Sequence, residues 1–170
     1  HINRTLLDKR PAAVIMVNPN QNNVERRIED VDFTIPSVTV PAEVGARLIH
    51  QIGESVTLRI LTQNAETTAR HIVATKPGAR PERIALMAHF DTKLDTPGAW
   101  DNGGGVAALL GLAALLAKYD LDCTLEFIAF AEEENFSQDH VVYIDQRGDR
   151  FSELIAAINM DGIAHILAHN

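Results

Sequence analysis

The chain has a single cysteine, Cys123, among 170 residues. One thiol excludes an intrachain disulfide and a cysteine-based zinc cluster. Positive charge is also scarce. Fifteen Lys and Arg stand against 23 Asp and Glu, giving a formal net charge of -8. No basic run offsets this, which argues against nucleic acid or an acidic membrane surface as partner. The longest apolar run, Val106 to Ala117, is too short to span a bilayer. No signal-peptide pattern opens the chain, and no repeat or low-complexity tract interrupts it. The Gly-Lys-Ser/Thr ending of a phosphate-binding loop is absent, and Gly103-Gly104-Gly105 does not fit the dinucleotide fingerprint. What remains is 46% hydrophobic and 22% charged, ordinary for a globular chain. The length suits one domain, or one domain with a partial second.

Along the chain, Ala12 to Val17 reads as a short strand, followed by a polar loop from Asn18 to Asn23. The stretch from Val24 to Asp32 is charged and expected to be exposed. Ile35 to Pro41 is extended, as its prolines require. Ala42 to Ile52 has helical spacing, with Val44, Leu48 and Ile52 on one face and Gly53 as a stop. Ser55 to Leu61 alternates Val56, Leu58 and Ile60 with polar residues and predicts a half-buried strand. Residues 70–75 are its expected antiparallel partner. A domain boundary is expected near residue 65. From Ile84 the pattern changes to continuous apolar strands separated by helical stretches, which signals a sheet covered on both faces. The apolar surroundings of Val106 to Lys118 predict a helix buried on most of its surface.

Three of these apolar segments end in metal-ligand residue types. Arg83 to Ala88 runs into His89-Phe90-Asp91, Leu125 to Ala131 into Glu132-Glu133-Glu134, and Leu154 to Met160 into Asp161. Between the first two, Gly98-Ala99-Trp100-Asp101-Asn102 precedes three glycines and an apolar helix. Each feature alone has a plain structural explanation. His89 can be a strand-end histidine bonded to Asp91, and Asp101 a helix cap. The glutamates can be a solvated surface, and Asp161 a turn residue. Together they describe something else, because ligands bind outside the carboxyl ends of strands in an open α/β sheet. One histidine and several carboxylates delivered there make a divalent-metal site, with zinc leading. Adjacent glutamates also suit hydrolysis, since one can ligate while its neighbour takes a proton from water.

Ala88-His89-Phe90-Asp91-Thr92, followed by Pro97-Gly98-Ala99-Trp100-Asp101-Asn102-Gly103-Gly104-Gly105, resembles the di-zinc aminopeptidase family. Phe127 to Glu134 resembles that family's strand with a Glu-Glu pair, and Ile158-Asn159-Met160-Asp161 its Asn-x-Asp strand. The strong likeness covers about residues 70 to 163. Residues 11 to 60 more weakly resemble a protease-associated lid segment.

The resemblance implies a three-layer α/β sandwich of zinc-exopeptidase type with a mostly parallel central sheet. It implies residues 1–65 as a partial lid-like segment and 66–170 as a peptidase core, incomplete at its carboxyl end. It implies two Zn2+ in the complete enzyme and one or none in this chain. His89 and Asp161 would hold one ion, Asp101 would bridge, and Glu134 would hold the second. Glu133 would be the general base, and Asp91 would orient His89. The Asp101–Asn102 peptide would be cis. The triple glutamate leaves Glu132 as the extra residue when Phe127 to Glu134 is aligned without a gap.

The implied activity is hydrolysis of a peptide beside its free amino terminus. The implied partner is a peptide, without nucleic acid or membrane; the sequence leaves the location open, and the resemblance favours an extracytoplasmic one. Alternatives are a glutaminyl-cyclase-like acyltransferase, a carboxypeptidase of the same fold and a non-catalytic binding module. Two departures stand out. Asn135-Phe136-Ser137-Gln138 replaces the family's Gly-Ser stretch, and the second zinc lacks its usual downstream histidine. His165 and His169 are expected to be poor substitutes, and His50, His71 and His140 to be surface or structural residues.

Overall fold

The computed structural model describes residues 2–19, 33–63, 65–93, 96–136 and 139–163. The chain divides into two compact units, His1–Glu66 and Thr67–Asn170.

In the first unit, α1 (Ile2–Lys9) precedes two short parallel strands, β1 (Val14–Val17) and β2 (Ser37–Val40). Pro41 is extended, at φ -67° and ψ 162°, and opens α2 (Ala42–Ile49). α2 packs closely on β1, since a Cβ on Gly45 would sit 2.3 Å from Val17 Cγ1. The helix ends earlier than its spacing predicts. Gln51 N donates to the Leu48 carbonyl at 2.9 Å and Glu54 N to that of Gln51 at 3.0 Å, closing turns through Gly53 at φ +98°. Ile52 is therefore exposed rather than on the packed face. The strand expected over Ser55 to Leu61 does not form, and Val56 and Leu61 are exposed. Its expected partner pairs elsewhere, and an alternating pattern without a neighbouring strand has no ladder to join. Much of the Asn-rich loop, and all of Val24 to Asp32, lie outside the described residues.

The second unit is built on a four-stranded sheet in the order β3-β5-β4-β6. Its strands are β3 (Ile72–Lys76), β4 (Arg80–His89), β5 (Cys123–Phe130) and β6 (Leu154–Asn159). β4 pairs in parallel with both β5 and β6, whereas β3 runs antiparallel to β5, with Ile72 opposite Ala129. The sheet is thus mostly parallel, and the carboxyl ends of β4, β5 and β6 meet along one side. α3 (Gly104–Leu116) packs Leu109 against Leu86, Ala88, Leu125 and Phe127 on one face. On the other face Tyr143 of α5 (Asp139–Arg147) meets Ala85, Ile128 and Phe130. A single turn of helix, α4 (Glu133–Phe136), follows β5, and a tight turn over Gly148–Glu153 leads into β6.

α3 is less buried than its composition predicts. Leu110 is 64% exposed and Leu115 is 52% exposed. One helix can bury only the stripe that meets the sheet, so an apolar sequence on all sides leaves an apolar outer face. Ala99–Leu116 is apolar enough over 18 residues to cross a membrane by length and composition. In this fold that stretch carries Asp101 and a backbone kink, and its Leu109 belongs to the sheet core.

Candidate metal centre

Strand register brings the site together. His89 of β4 stands level with Phe130 of β5, and Met87 of β4 with Asn159 of β6. The ladder continues past both ends, with Phe90 N donating to the Phe130 carbonyl and Met160 N to that of Met87, each at 2.8 Å. The residues that follow, Glu133, Glu134 and Asp161, therefore leave the sheet beside His89.

His89 is 2% exposed. Its Nε2 lies 3.0 Å from Asp101 Oδ1, 3.4 Å from Asp161 Oδ1 and 4.0 Å from Glu133 Oε2. Nδ1 lies 3.1 Å from the backbone carbonyl of Asp91 and 3.4 Å from its Oδ1. A carbonyl accepts only, so the ring donates to it through Nδ1–H and presents Nε2 as a ligand atom. Two groups of ligand atoms lie within 4.8 Å of one another: His89 with Asp101 and Asp161, and His89 with Glu133 and Glu134.

Electrostatics match this crowding. Burial pulls the His89 pKa down, but the carboxylates of Asp161, Glu133, Asp101 and Asp91 outweigh it and hold the imidazole above its ordinary value. Burial and the neighbouring Asp101 charge raise the Glu134 carboxyl, with Lys93 opposing at 3.8 Å. Carboxylates held this close repel one another, and a divalent cation would remove that repulsion.

Two positioning devices were not evident from the sequence. The side chain of Asp91 is bonded less to His89 than to the turn after β5. Its Oδ1 accepts from Glu133 N at 3.1 Å and its Oδ2 from Glu134 N at 3.0 Å. These N–H groups open α4, where a helix has no internal acceptors, so a carboxylate from β4 caps it. The second device is Asn102, which is 1% exposed. Its Nδ2 donates to the Met160 carbonyl at 2.9 Å, and its Oδ1 accepts from Gly105 N at 3.1 Å. It ties the loop carrying Asp101 to the chain just before Asp161. Trp100 Nε1 adds a parallel tie to the Gly162 carbonyl at 2.7 Å. The Asp101–Asn102 peptide is cis. The glycines here serve close approach, because a Cβ on Gly105 would lie 2.1 Å from the Met160 carbonyl oxygen.

Glu132 stands apart from the ligand cluster. It adopts φ +70°, unusual for a non-glycine residue, and lines a cavity of about 640 Å³ with Arg70, Phe90 and Asp91. His71 accepts from Ala131 N at 3.1 Å and packs edge-on against Phe130, a structural role. His50 and His140 are exposed. His165 and His169 lie outside the described residues, as do Ser137 and Gln138.

The chain matches the model of peptidase family M28 over residues 71–166 and belongs to that family. It is 32% identical over 100 residues to aminopeptidase YwaD of Bacillus subtilis, covering 59% of this chain and 22% of that protein. A probable lipoprotein aminopeptidase of Mycobacterium tuberculosis, LpqL, is 31% identical over 140 residues, covering 79% of this chain and 27% of LpqL. Among solved structures, a zinc aminopeptidase from Bacillus subtilis superposes with a TM-score of 0.77 at 22% identity, covering 95% of this chain and 40% of that one. An aminopeptidase from Aneurinibacillus superposes with a TM-score of 0.61 at 25% identity, covering 93% of this chain and 41% of that one. The chain thus spans roughly a fifth to two fifths of the length of these relatives.

Proposed function

We propose that this chain carries metal-binding and proton-transfer residues of a zinc-dependent aminopeptidase. The observation that carries the reading is the buried His89. Its Nε2 faces Asp101 and Asp161 oxygens at 3.0 and 3.4 Å, while its other nitrogen is held by the Asp91 carbonyl. One imidazole with converging carboxylates suits zinc, and the held second nitrogen fixes the ligating tautomer.

In this reading His89, Asp101 and Asp161 hold one ion. Asp101 is shared with a second position completed in part by Glu134. The zinc these residues would hold would supply Lewis acidity toward a water and the scissile carbonyl. Glu133 accepts the proton of the attacking water at its carboxylate and returns it to the leaving amine as the C–N bond breaks. Asp91 acts at one remove, by holding the Glu133 and Glu134 amides and the His89 ring. The substrate is a peptide with a free amino terminus, and the likeness to a probable lipoprotein aminopeptidase favours an extracytoplasmic setting. Residues 1–65 would be a partial lid-like segment, a reading supported by the separate compact unit His1–Glu66.

The test is zinc retention after dialysis, run beside cleavage of an amino-acyl chromogenic substrate and of its N-acetylated form. We expect His89→Ala to lose zinc and activity together, and the acetylated substrate to be spared. Full zinc retention by His89→Ala would overturn the site, and equal cleavage of both substrates would overturn the aminopeptidase assignment.

A further inference from the structure

The α5 face of the sheet holds a second ionic cluster with no part in the metal centre. Glu126, in the middle of β5, is 1% exposed. A carboxylate buried so deeply is tolerable only when paired and hydrogen-bonded. Tyr143 OH donates to its Oε2 at 2.7 Å, Arg83 Nη1 to its Oε1 at 2.7 Å, and Arg147 Nη2 is also paired with it. Towards the surface, Glu153 Oε2 accepts from Arg83 Nε at 2.7 Å and lies 3.5 Å from Arg150 Nε. Three guanidinium groups thus face two carboxylates, leaving one positive charge over.

The same arginines line a cavity of about 370 Å³, with Thr75, Gln146 and the already paired Glu126 also on its walls. That volume lies within the range of roughly 300–1,000 Å³ usual for small-molecule sites. We propose that this cavity binds a small oxyanion, a phosphate or a carboxylate, between Arg83, Arg147 and Arg150. Each guanidinium carries five N–H donors in a planar fork that matches such an anion. Thr75 and Gln146 add a hydroxyl and an amide, which suit the anion's remaining oxygens. The arginines also repel one another. Burial, and then the charges of Arg83 and Arg150, pull the Arg147 pKa below its ordinary value against the attraction of Glu153. An anion among them would remove that repulsion and brace β4, α5 and the turn that leads into β6. Glu126 remains inside as the fixed internal counter-charge.

The experiment titrates inorganic phosphate, and separately succinate, into the protein after chelator treatment, so that neither acts through bound metal. Sodium chloride at matched ionic strength is the control. Thermal unfolding and isothermal calorimetry are the readouts. Arg150 is largely exposed, so Arg150→Gln leaves the buried pairs intact. Gln146→Glu places a negative charge in the cavity without touching Glu126. We expect a saturable rise in melting temperature with phosphate or succinate that chloride does not reproduce. Each variant should weaken the apparent affinity at least about tenfold, a loss of about 1.4 kcal/mol. The stronger of the two anions identifies the ligand class. No saturable shift with either anion, or equal affinity in wild type and both variants, would overturn the site.

Discussion

Asn102→Ala separates the geometry of the metal centre from its ligands, because Asn102 ligates nothing and holds two ligand-bearing segments together. The side chain makes two buried hydrogen bonds, to the Met160 carbonyl and from Gly105 N. Gly105 N lies in the first turn of α3, where the helix offers no acceptor, so Asn102 acts as its cap. Losing such a cap costs typically about 1 kcal/mol. The Met160 carbonyl would be left buried without this donor, at about 1–3 kcal/mol. The expected destabilisation is therefore about 2–4 kcal/mol. A domain of ordinary stability, about 5–15 kcal/mol, stays folded after that loss. The tie between the Asp101 loop and the Asp161 segment would nevertheless be gone. Outer supports of metal ligands typically change affinity 10–100-fold, and a drop of that size in zinc affinity is expected here. Urea unfolding of chelator-treated protein measures the first quantity, and competition with a chromogenic zinc chelator the second. Trp100→Phe is the comparison, since its bond to the Gly162 carbonyl is exposed and should contribute about 1 kcal/mol or less. Wild-type zinc affinity in a folded Asn102→Ala protein would refute the idea that this tie sets the ligand geometry.

Glu133→Gln should retain zinc and lower peptide turnover by roughly 10²–10⁴, whereas Glu132→Gln should have little effect, as steady-state kinetics with metal analysis would show. Loss on Glu132→Gln alone would move the general base by one residue. The 170-residue chain should hold at most about one zinc tightly after dialysis, because His89, Asp101 and Asp161 converge as three candidate ligands, whereas the proposed second position would have only Asp101 and Glu134. Gly105→Ala should destabilise by about 1–3 kcal/mol in urea unfolding, since its Cβ would meet the Met160 carbonyl and Asn102 Oδ1 at 2.1 and 2.3 Å. Glu153 should make a small acid-limb contribution. Its hydrogen bond from Arg83 holds the carboxyl below the ordinary 4.5, so that stability is present above 4.5 and lost as pH falls through the lowered value. Melting temperatures of wild type and Glu153→Gln should accordingly converge in acid.

The sheet was legible where burial on both sides enforced continuous apolar runs. β4 and β5 carry such runs, and a parallel strand between two layers leaves no other solution. β6 carries one as well, although it is the edge of the described sheet and its Ile155 and Ile158 are exposed. β3 was misread in its pairing. Ile72-Val73-Ala74 is a short β-prone run that suits a strand beside any neighbour, and nothing in Ile72 to Lys76 says whether that neighbour is Ser55 to Leu61 or β5. Pairing is a tertiary choice, and β5 offers a long apolar edge at Leu125 to Ala129. The exposure of α3 was misjudged for a related reason. Apolar character on every side states what a helix can bury, whereas its neighbours decide what it does bury.

The convergence of the candidate ligands was legible because metal chemistry restricts residue type, and parallel strands restrict place. His89, Glu134 and Asp161 each follow an apolar run by a residue or a few, and parallel pairing then forces those ends into one crevice. The supports were not legible. Asn102 looks like any polar residue beside glycines until the fold sets its two ends against Met160 and Gly105. Asp91 looked like a partner for the His89 ring because the two are neighbours on one strand. In the structure its Oδ1 does lie 3.4 Å from His89 Nδ1, and its carboxylate also reaches the first amides of α4. A carboxylate that caps a turn two strands' width of sequence away leaves no local signature, since neither Glu133 N nor Glu134 N carries side-chain information. Ligands are thus encoded by what they are, and their supports by where the chain returns to. That difference explains why Asp91→Ala, which keeps the backbone carbonyl that holds His89 Nδ1, should disturb Glu133 more than His89.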